Sequence, residues 1–242
     1  MISFIKNERN YYSIESPFKG LSLGVLGKEG NDTDYSRNDQ DIRSRERELL
    51  SSMLRLTENR ILFLNQEHGD TILHARELPT TPSHVFGDAD AIITGMPGIC
   101  PVIRTADCVP VFIADMDKRV LGAAHSGWKG TRLQISRKMI QIMKDEYGCS
   151  YEAMQVFILP SIGPESYEVG KEVADFFPED CVEEDGKIYL NLWYSIECSL
   201  IEEGIPEENI FNTEICSLQN SDSFFSHRYG DTGRNLNFAF FR

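Results

Sequence analysis

The sequence predicts an α+β fold, a layered arrangement of strands and helices without strict βαβ alternation. Three observations predict it. Short runs rich in β-branched residues, bounded by Gly, Pro or Asp, recur through the middle of the chain. A long stretch over 129–147 carries its apolar residues at helical spacing. Strands dominate first and helices mix in later, which is not the regular alternation that builds an all-parallel sheet.

Taken in order, residues 28–40 (KEGNDTDYSRNDQ) read as a polar surface loop. A helix over 41–56 follows, rich in Arg, Glu and Leu. Strands are expected over 61–64, 71–75, 91–94, 102–105, 109–114 and 120–124. A helix over 129–147 aligns Ile135, Met139, Ile142 and Met143, and Gly148 is its stop. A strand over 155–159 precedes a helix over 170–177 that Pro178 ends. The acidic run 179–185 reads as a solvated turn. A strand over 187–190 leads to a helix over 192–203, stopped by Gly204 and Pro206.

A chain of 242 residues suits one large domain or two small ones. Its apolar content, 41%, suffices for a substantial core. The net charge of −14 argues against nucleic acid or an anionic membrane as the main partner. Arg228 and Arg234 remain as local basic spots. The start, Met1 to Lys6, lacks the pattern of a signal peptide, and the longest apolar run, around Val109, is far short of a membrane span. Six cysteines without a secretory signal or a close pair imply reduced thiols and a cytoplasmic protein. Cys100, Cys149, Cys181 and Cys198 read as small buried hydrophobes.

Three segments carry the chemistry: Asn65-Gln66-Glu67-His68-Gly69, Arg104-Thr105-Ala106-Asp107-Cys108-Val109-Pro110 and Ala124-His125-Ser126-Gly127-Trp128-Lys129-Gly130. Each sets a His or Cys at the end of an apolar run, beside a turn-forming residue. Gly69-Asp70 marks a turn after His68. Pro110 breaks ladder pairing beside Cys108 and implies a bend that aims the thiol into a cavity. Gly127 and Gly130 let a ligand approach the backbone, and helix-start N–H groups beyond His125 are placed for an anion.

Each residue alone has an ordinary reading: a strand-end histidine satisfied by a carbonyl, a buried inert thiol, a surface-loop histidine. Asp107 alone reads as a turn residue capping an N–H. Together, two His and one Cys make a metal site with a fourth position open, with donors that suit zinc and that copper also accepts. Without metal, His125 or His68 could activate Cys108 as a nucleophile. The ligands lie far apart in sequence, unlike a zinc finger, so spacing alone does not choose between these readings.

These segments resemble the laccase-domain purine nucleoside phosphorylase family, also described as multicopper polyphenol oxidases and peptidoglycan-editing factors. The resemblance extends to Asp88-Ala89-Asp90-Ala91, Ile162-Gly163-Pro164, Tyr167-Glu168-Val169-Gly170, Phe225-Ser226-His227-Arg228 and Thr232-Gly233-Arg234. It implies one domain over 1–242, a sandwich of mixed sheets flanked by helices, related to cysteine-hydrolase-like toxin domains. It implies zinc held by His68, Cys108 and His125. It also implies phosphorolysis of purine nucleosides, with phosphate as co-substrate, and adenosine deamination and methylthioadenosine cleavage as companion activities. Asp107 is then a candidate acid for the departing purine. Arg228, Lys129 and Arg234 are candidates for holding phosphate and substrate.

Two departures stand out. Glu165-Ser166 occupies the place where members often carry two cysteines. The usual Asn-Arg before the first motif is not clear in Ile42-Arg43-Ser44-Arg45, so no substrate contact is carried over from there. The competing reading is a Cys108–His125 hydrolase or amidase acting on cell-wall precursors. Multicopper phenol oxidation needs more histidines than the five present. A purely structural zinc would need a fourth protein ligand, for which His74, His84 or Cys216 are the candidates.

Overall fold

Alternation along the central strands builds two sheets that share one apolar layer. The computed structural model describes residues 3–8, 11–15, 20–80, 82 and 85–242. A seven-stranded mixed sheet runs in the order β1 (Ser3–Lys6), β2 (Tyr12–Glu15), β3 (Leu21–Leu26), β16 (Asn235–Phe241), β8 (Cys100–Thr105), β4 (Ile61–Asn65), β6 (Gly87–Asp88). A six-stranded sheet runs β15 (Ile210–Asn212), β11 (Met154–Ile158), β9 (Val109–Asp115), β10 (Val120–Ser126), β7 (Ala91–Thr94), β5 (Ile72–Ala75). A small third sheet orders β12 (Glu168–Val169), β14 (Lys187–Leu190), β13 (Cys181–Glu184).

The period of two decides which layer each side chain joins. On β9, Phe112 and Ala114 face the seven-stranded sheet, packing with Leu62, Leu64, Ile103 and Ala239. Val111 and Ile113 face the other way, towards helix α3 (Ile135–Tyr147) and helix α5 (Leu192–Glu203). On the outer face of the seven-stranded sheet, Phe63, Val102 and Phe238 pack on Leu50, Met53 and Leu54 of helix α1 (Asp39–Leu54). The order of layers is therefore helix, sheet, sheet, helices.

Most expected elements are present, and the differences have physical reasons. The helix expected over 129–147 is two: α2 (Trp128–Arg132) and α3, broken at Gln134, which is left-handed (φ 58°). The break lets α3 take its own axis and lie on β10, where a Cβ on Gly122 would stand 2.7 Å from Met139 Sδ. The helix expected over 170–177 shrinks to α4 (Lys171–Ala174). The acidic run is an exposed strand, β13, hairpinned to β14 through Asp185-Gly186, both at positive φ. That is the two-residue hairpin turn Asp-Gly favours. The strands at both ends of the chain, β1 to β3 and β16, fall outside the expected set. Among the described residues no helix is long and apolar enough to cross a membrane.

Candidate metal centre in an arginine-lined cleft

Each of the three chemistry-bearing segments lies at a sheet edge. His68 follows β4 as the chain heads from the seven-stranded sheet to β5 of the other. Cys108 lies on the crossing from β8 to β9. His125 is the penultimate residue of β10. Antiparallel pairing sets His125 opposite Pro110 and Ser126 opposite Val109, which brings His125 beside the Cys108 turn. The ligand atoms of His68, Cys108 and His125 all lie within 4.8 Å of one another. The two imidazoles meet nearly edge to face, with centroids 4.7 Å apart.

Asp90, just before β7, holds this arrangement. Its carboxylate accepts from the backbone N–H of Glu67 (3.1 Å), His68 (3.0 Å) and Gly69 (2.7 Å). The same carboxylate lies 2.8 Å from His125 Nδ1, and the Asp90 carbonyl accepts from the His125 N–H at 2.7 Å. The three amides stabilise a turn in which His68 is left-handed (φ 61°), a conformation that costs a non-glycine residue free energy. With Nδ1–H given to Asp90, His125 turns Nε2 towards Cys108, the carboxylate–histidine pairing that orients metal ligands. Gly127 closes over the site: a Cβ there would stand 2.9 Å from Cys108 Sγ.

Charge follows from this packing. Burial alone would raise the Cys108 thiol, but the His125 charge and hydrogen bonds from His125 and His68 bring it down to about 6. Burial would lower His125, yet the Cys108 thiolate and Asp90 raise it to about 9. Asp90 pays desolvation and is still held below the usual carboxylate range by His125 and the turn amides. A thiolate flanked by two imidazoles fits a soft or borderline metal ion such as zinc or copper. Among the described residues no fourth His, Cys, Asp or Glu joins the set. His74 instead meets Tyr147 (3.1 Å), and Cys216 accepts from the Gly163 N–H (3.2 Å). His84 lies outside the described residues.

His68, Cys108 and His125 form one wall of a cleft of about 400 Å³. Arg43, Arg104 and Arg234 supply guanidinium groups to it, and His227 reaches it from the C-terminal loop. Arg43 donates to the Leu64 carbonyl (2.9 Å) and to Asp39 (2.6 Å). Arg104 pairs with Glu46, which is fully buried (2.9 Å). Arg234 Nη1 donates to the Thr232 and Gly233 carbonyls, both at 2.8 Å. Gln66 ties the His68 turn to β8 by a two-way amide pair with the Arg104 backbone (2.8 and 2.9 Å).

Of the other expected site residues, Arg234 lines the cleft, and Lys129, Arg228 and Asp107 do not. Lys129 sits exposed over the Trp128 ring on α2, and at five residues that helix offers no developed N-terminal anion site. Arg228 lies over the Tyr167 ring and donates to the Glu168 carbonyl (2.8 Å). Asp107 is buried, with one carboxylate oxygen accepting from Ser217 Oγ (2.7 Å) and the other from the Arg228 N–H (2.8 Å). Both oxygens are engaged by residues that do not line the cleft, so Asp107 braces the Cys108 turn. Sequence reasoning did not assign Asp90, Arg43, Arg104 or His227. Asp90, Arg104 and His227 lay inside quoted motifs, and Arg43 in the quoted stretch Ile42-Arg43-Ser44-Arg45. Arg43 had a signal in the helical spacing of the buried face Arg43, Glu46, Arg47, Leu50.

Comparison with known proteins bears on this site. The family described as multi-copper polyphenol oxidoreductase laccase matches residues 17–242. A protein of Bacteroides thetaiotaomicron named purine nucleoside phosphorylase is 30% identical, over 94% of each chain. A protein named adenosine deaminase RL5, from an unknown prokaryotic organism, is 32% identical over 57% of this chain and 56% of its own. The crystal structure of YlmD from Geobacillus stearothermophilus superposes with a TM-score of 0.88 over the full length of both chains, at 24% identity, and so shares the fold.

Proposed function

The chain belongs to the multi-copper polyphenol oxidoreductase laccase family, and from that premise we propose that it is a metal-dependent purine nucleoside phosphorylase. The observation that carries this reading is the cleft itself, with a His68–Cys108–His125 metal wall facing three guanidinium groups. Its reaction converts inosine or adenosine and phosphate into free base and ribose 1-phosphate. Residues 1–242 act as one unit, kin to cysteine-hydrolase-like toxin domains. Six free thiols fit a cytoplasmic setting.

Phosphate is a dianion that needs desolvated positive charge. Arg234 is the best placed donor, because only one of its terminal nitrogens is taken by loop carbonyls. Arg43 and Arg104 add positive potential, partly offset by Asp39 and Glu46. Held there, a phosphate oxygen attacks C1′ of the ribose as the bond to the purine loosens towards an oxocarbenium-like state. Leu64 and Ala106 give the sugar an apolar contact. His68, Cys108 and His125 would hold the metal, zinc by the chemistry of the donors, which when bound polarises a substrate atom or a water molecule. Asp90 keeps His125 in the ligating tautomer. Adenosine deamination in the same cleft is a companion activity, supported by the relative named as a deaminase.

A cysteine hydrolase would need only the Cys108–His125 pair. The second imidazole, His68, shares the same sulfur, which a metal site requires and a dyad does not. The test is incubation of zinc-loaded protein with inosine, with and without phosphate. The expected result is phosphate-dependent hypoxanthine and ribose 1-phosphate, lost after chelation. No hypoxanthine from zinc-loaded protein, or full activity after chelation, overturns the reading.

A further inference from the structure

Breaking the bond between C1′ and purine N9 leaves the electron pair on the ring, so the departing base gains from a proton at N7. Asp107 cannot give one, since Ser217 and the Arg228 N–H occupy its oxygens outside the cleft. Within the cleft, His68, Cys108 and His125 are committed to the ligand set. Arg43, Arg104 and Arg234 do not release protons. Gln66 and Thr105 are not acids. One cleft residue remains of the kind that most often transfers protons in catalysis: His227.

We propose that His227 is the catalytic acid that protonates the departing purine. This rests on the phosphorolysis reading above. The backbone around His227 is fixed while its ring is free. Ser226 N–H donates to Asp231 (2.9 Å), Tyr229 N–H to Ser226 Oγ (3.2 Å), and Gly230 N–H to the His227 carbonyl (3.0 Å). The Arg228 N–H, next in the chain, is anchored on Asp107. His227 is an exposed residue that lines the cleft, and its ring has no hydrogen bond among the described residues, which leaves it available to a substrate. It lies outside the ligand set, which leaves its proton free of the metal. In the step, a phosphate oxygen forms the new bond to C1′, the C1′–N9 bond breaks, and the His227 imidazolium proton passes to N7. The proton released as the attacking phosphate becomes an ester returns to His227 through solvent. Asp107 thus acts twice as a positioning residue, holding the Cys108 turn and the His227 turn together.

The test compares inosine with 7-methylinosine, whose base already carries positive charge at N7 and needs no proton. Wild type, His227→Gln and His227→Asn, all zinc-loaded, are assayed with both nucleosides and phosphate. The expected result is a fall in kcat on inosine of about 10²–10⁴-fold in both variants, the span typical of a removed general acid, with the rate on 7-methylinosine largely kept. An equal loss on both nucleosides, or no loss on inosine, overturns the assignment of His227. Wild type inactive on both nucleosides overturns the phosphorolysis reading and, with it, this assignment.

Discussion

Asp90 and Asp107 look alike in the sequence: each sits in a short motif beside apolar strand residues, and each serves a turn that carries a ligand. In the fold they do different work. Asp90 touches a ligand ring directly, 2.8 Å from His125 Nδ1, and gathers the amides of the His68 turn on the same carboxylate. Asp107, itself left-handed at φ 88°, faces away and joins its own turn to Ser217 and the Arg228 amide. One carboxylate tunes the site, and the other holds its scaffold. A motif aspartate beside a cysteine is therefore not a catalytic acid by position; the direction of its lone pairs decides.

The largest way to break this comparison is to remove what both carboxylates serve. Cys108→Ala should leave the protein without stoichiometric metal and without phosphorolysis, measured by elemental analysis and hypoxanthine release.

Next, the two aspartates should part. Asp90→Asn should weaken metal binding by about 10–100-fold, the usual effect of losing a ligand's outer partner, read by competition with a chelator. In metal-free wild type, alkylation of Cys108 should rise with pH through about 6. In Asp90→Asn that midpoint should move up. Without the Asp90 charge the His125 imidazolium is less favourable, and so is the thiolate it supports.

Asp107→Asn should cost about 1–3 kcal/mol of stability, from a buried acceptor lost, while the folded protein loses less metal affinity than Asp90→Asn does. Asparagine tolerates the left-handed backbone, so the variant isolates the hydrogen bonds. If Asp107 were the acid instead, kcat on inosine would fall by about 10²–10⁴-fold with stability intact.

A comparable effect separates the arginines. Losing a charge-assisted contact of about 1.5–3 kcal/mol in Arg234→Ala should raise the KM for phosphate about tenfold or more. Arg228→Ala, whose guanidinium lies over Tyr167, should leave that KM unchanged.

The meeting of His68, Cys108 and His125 was legible because each ended an apolar run beside a glycine or proline, a local signal. The central strands were legible through β-branched runs, and α5 (Leu192–Glu203) fell within the expected bounds. What stayed hidden was long-range. Arg104 meets Glu46 and Asn237 reaches Ile103 only after the sheets form. β16 (Asn235–Phe241) carried an unused signal, Gly230-Asp231-Thr232-Gly233 before an alternating run, and α2 and α3 shared one helical period that tertiary packing cut at Gln134. Asp185-Gly186 was a readable hairpin signal that the surrounding acidic run obscured.

His68, Cys108 and His125 would hold one metal ion in the cleft that Arg43, Arg104 and Arg234 line. A crystal of the zinc-loaded protein, with an anomalous map at the zinc edge, tests it most directly. The expected map shows a single peak bonded to Cys108 Sγ and one nitrogen of each histidine, with no fourth protein ligand. A peak elsewhere, or a fourth side chain closing the site, would contradict it.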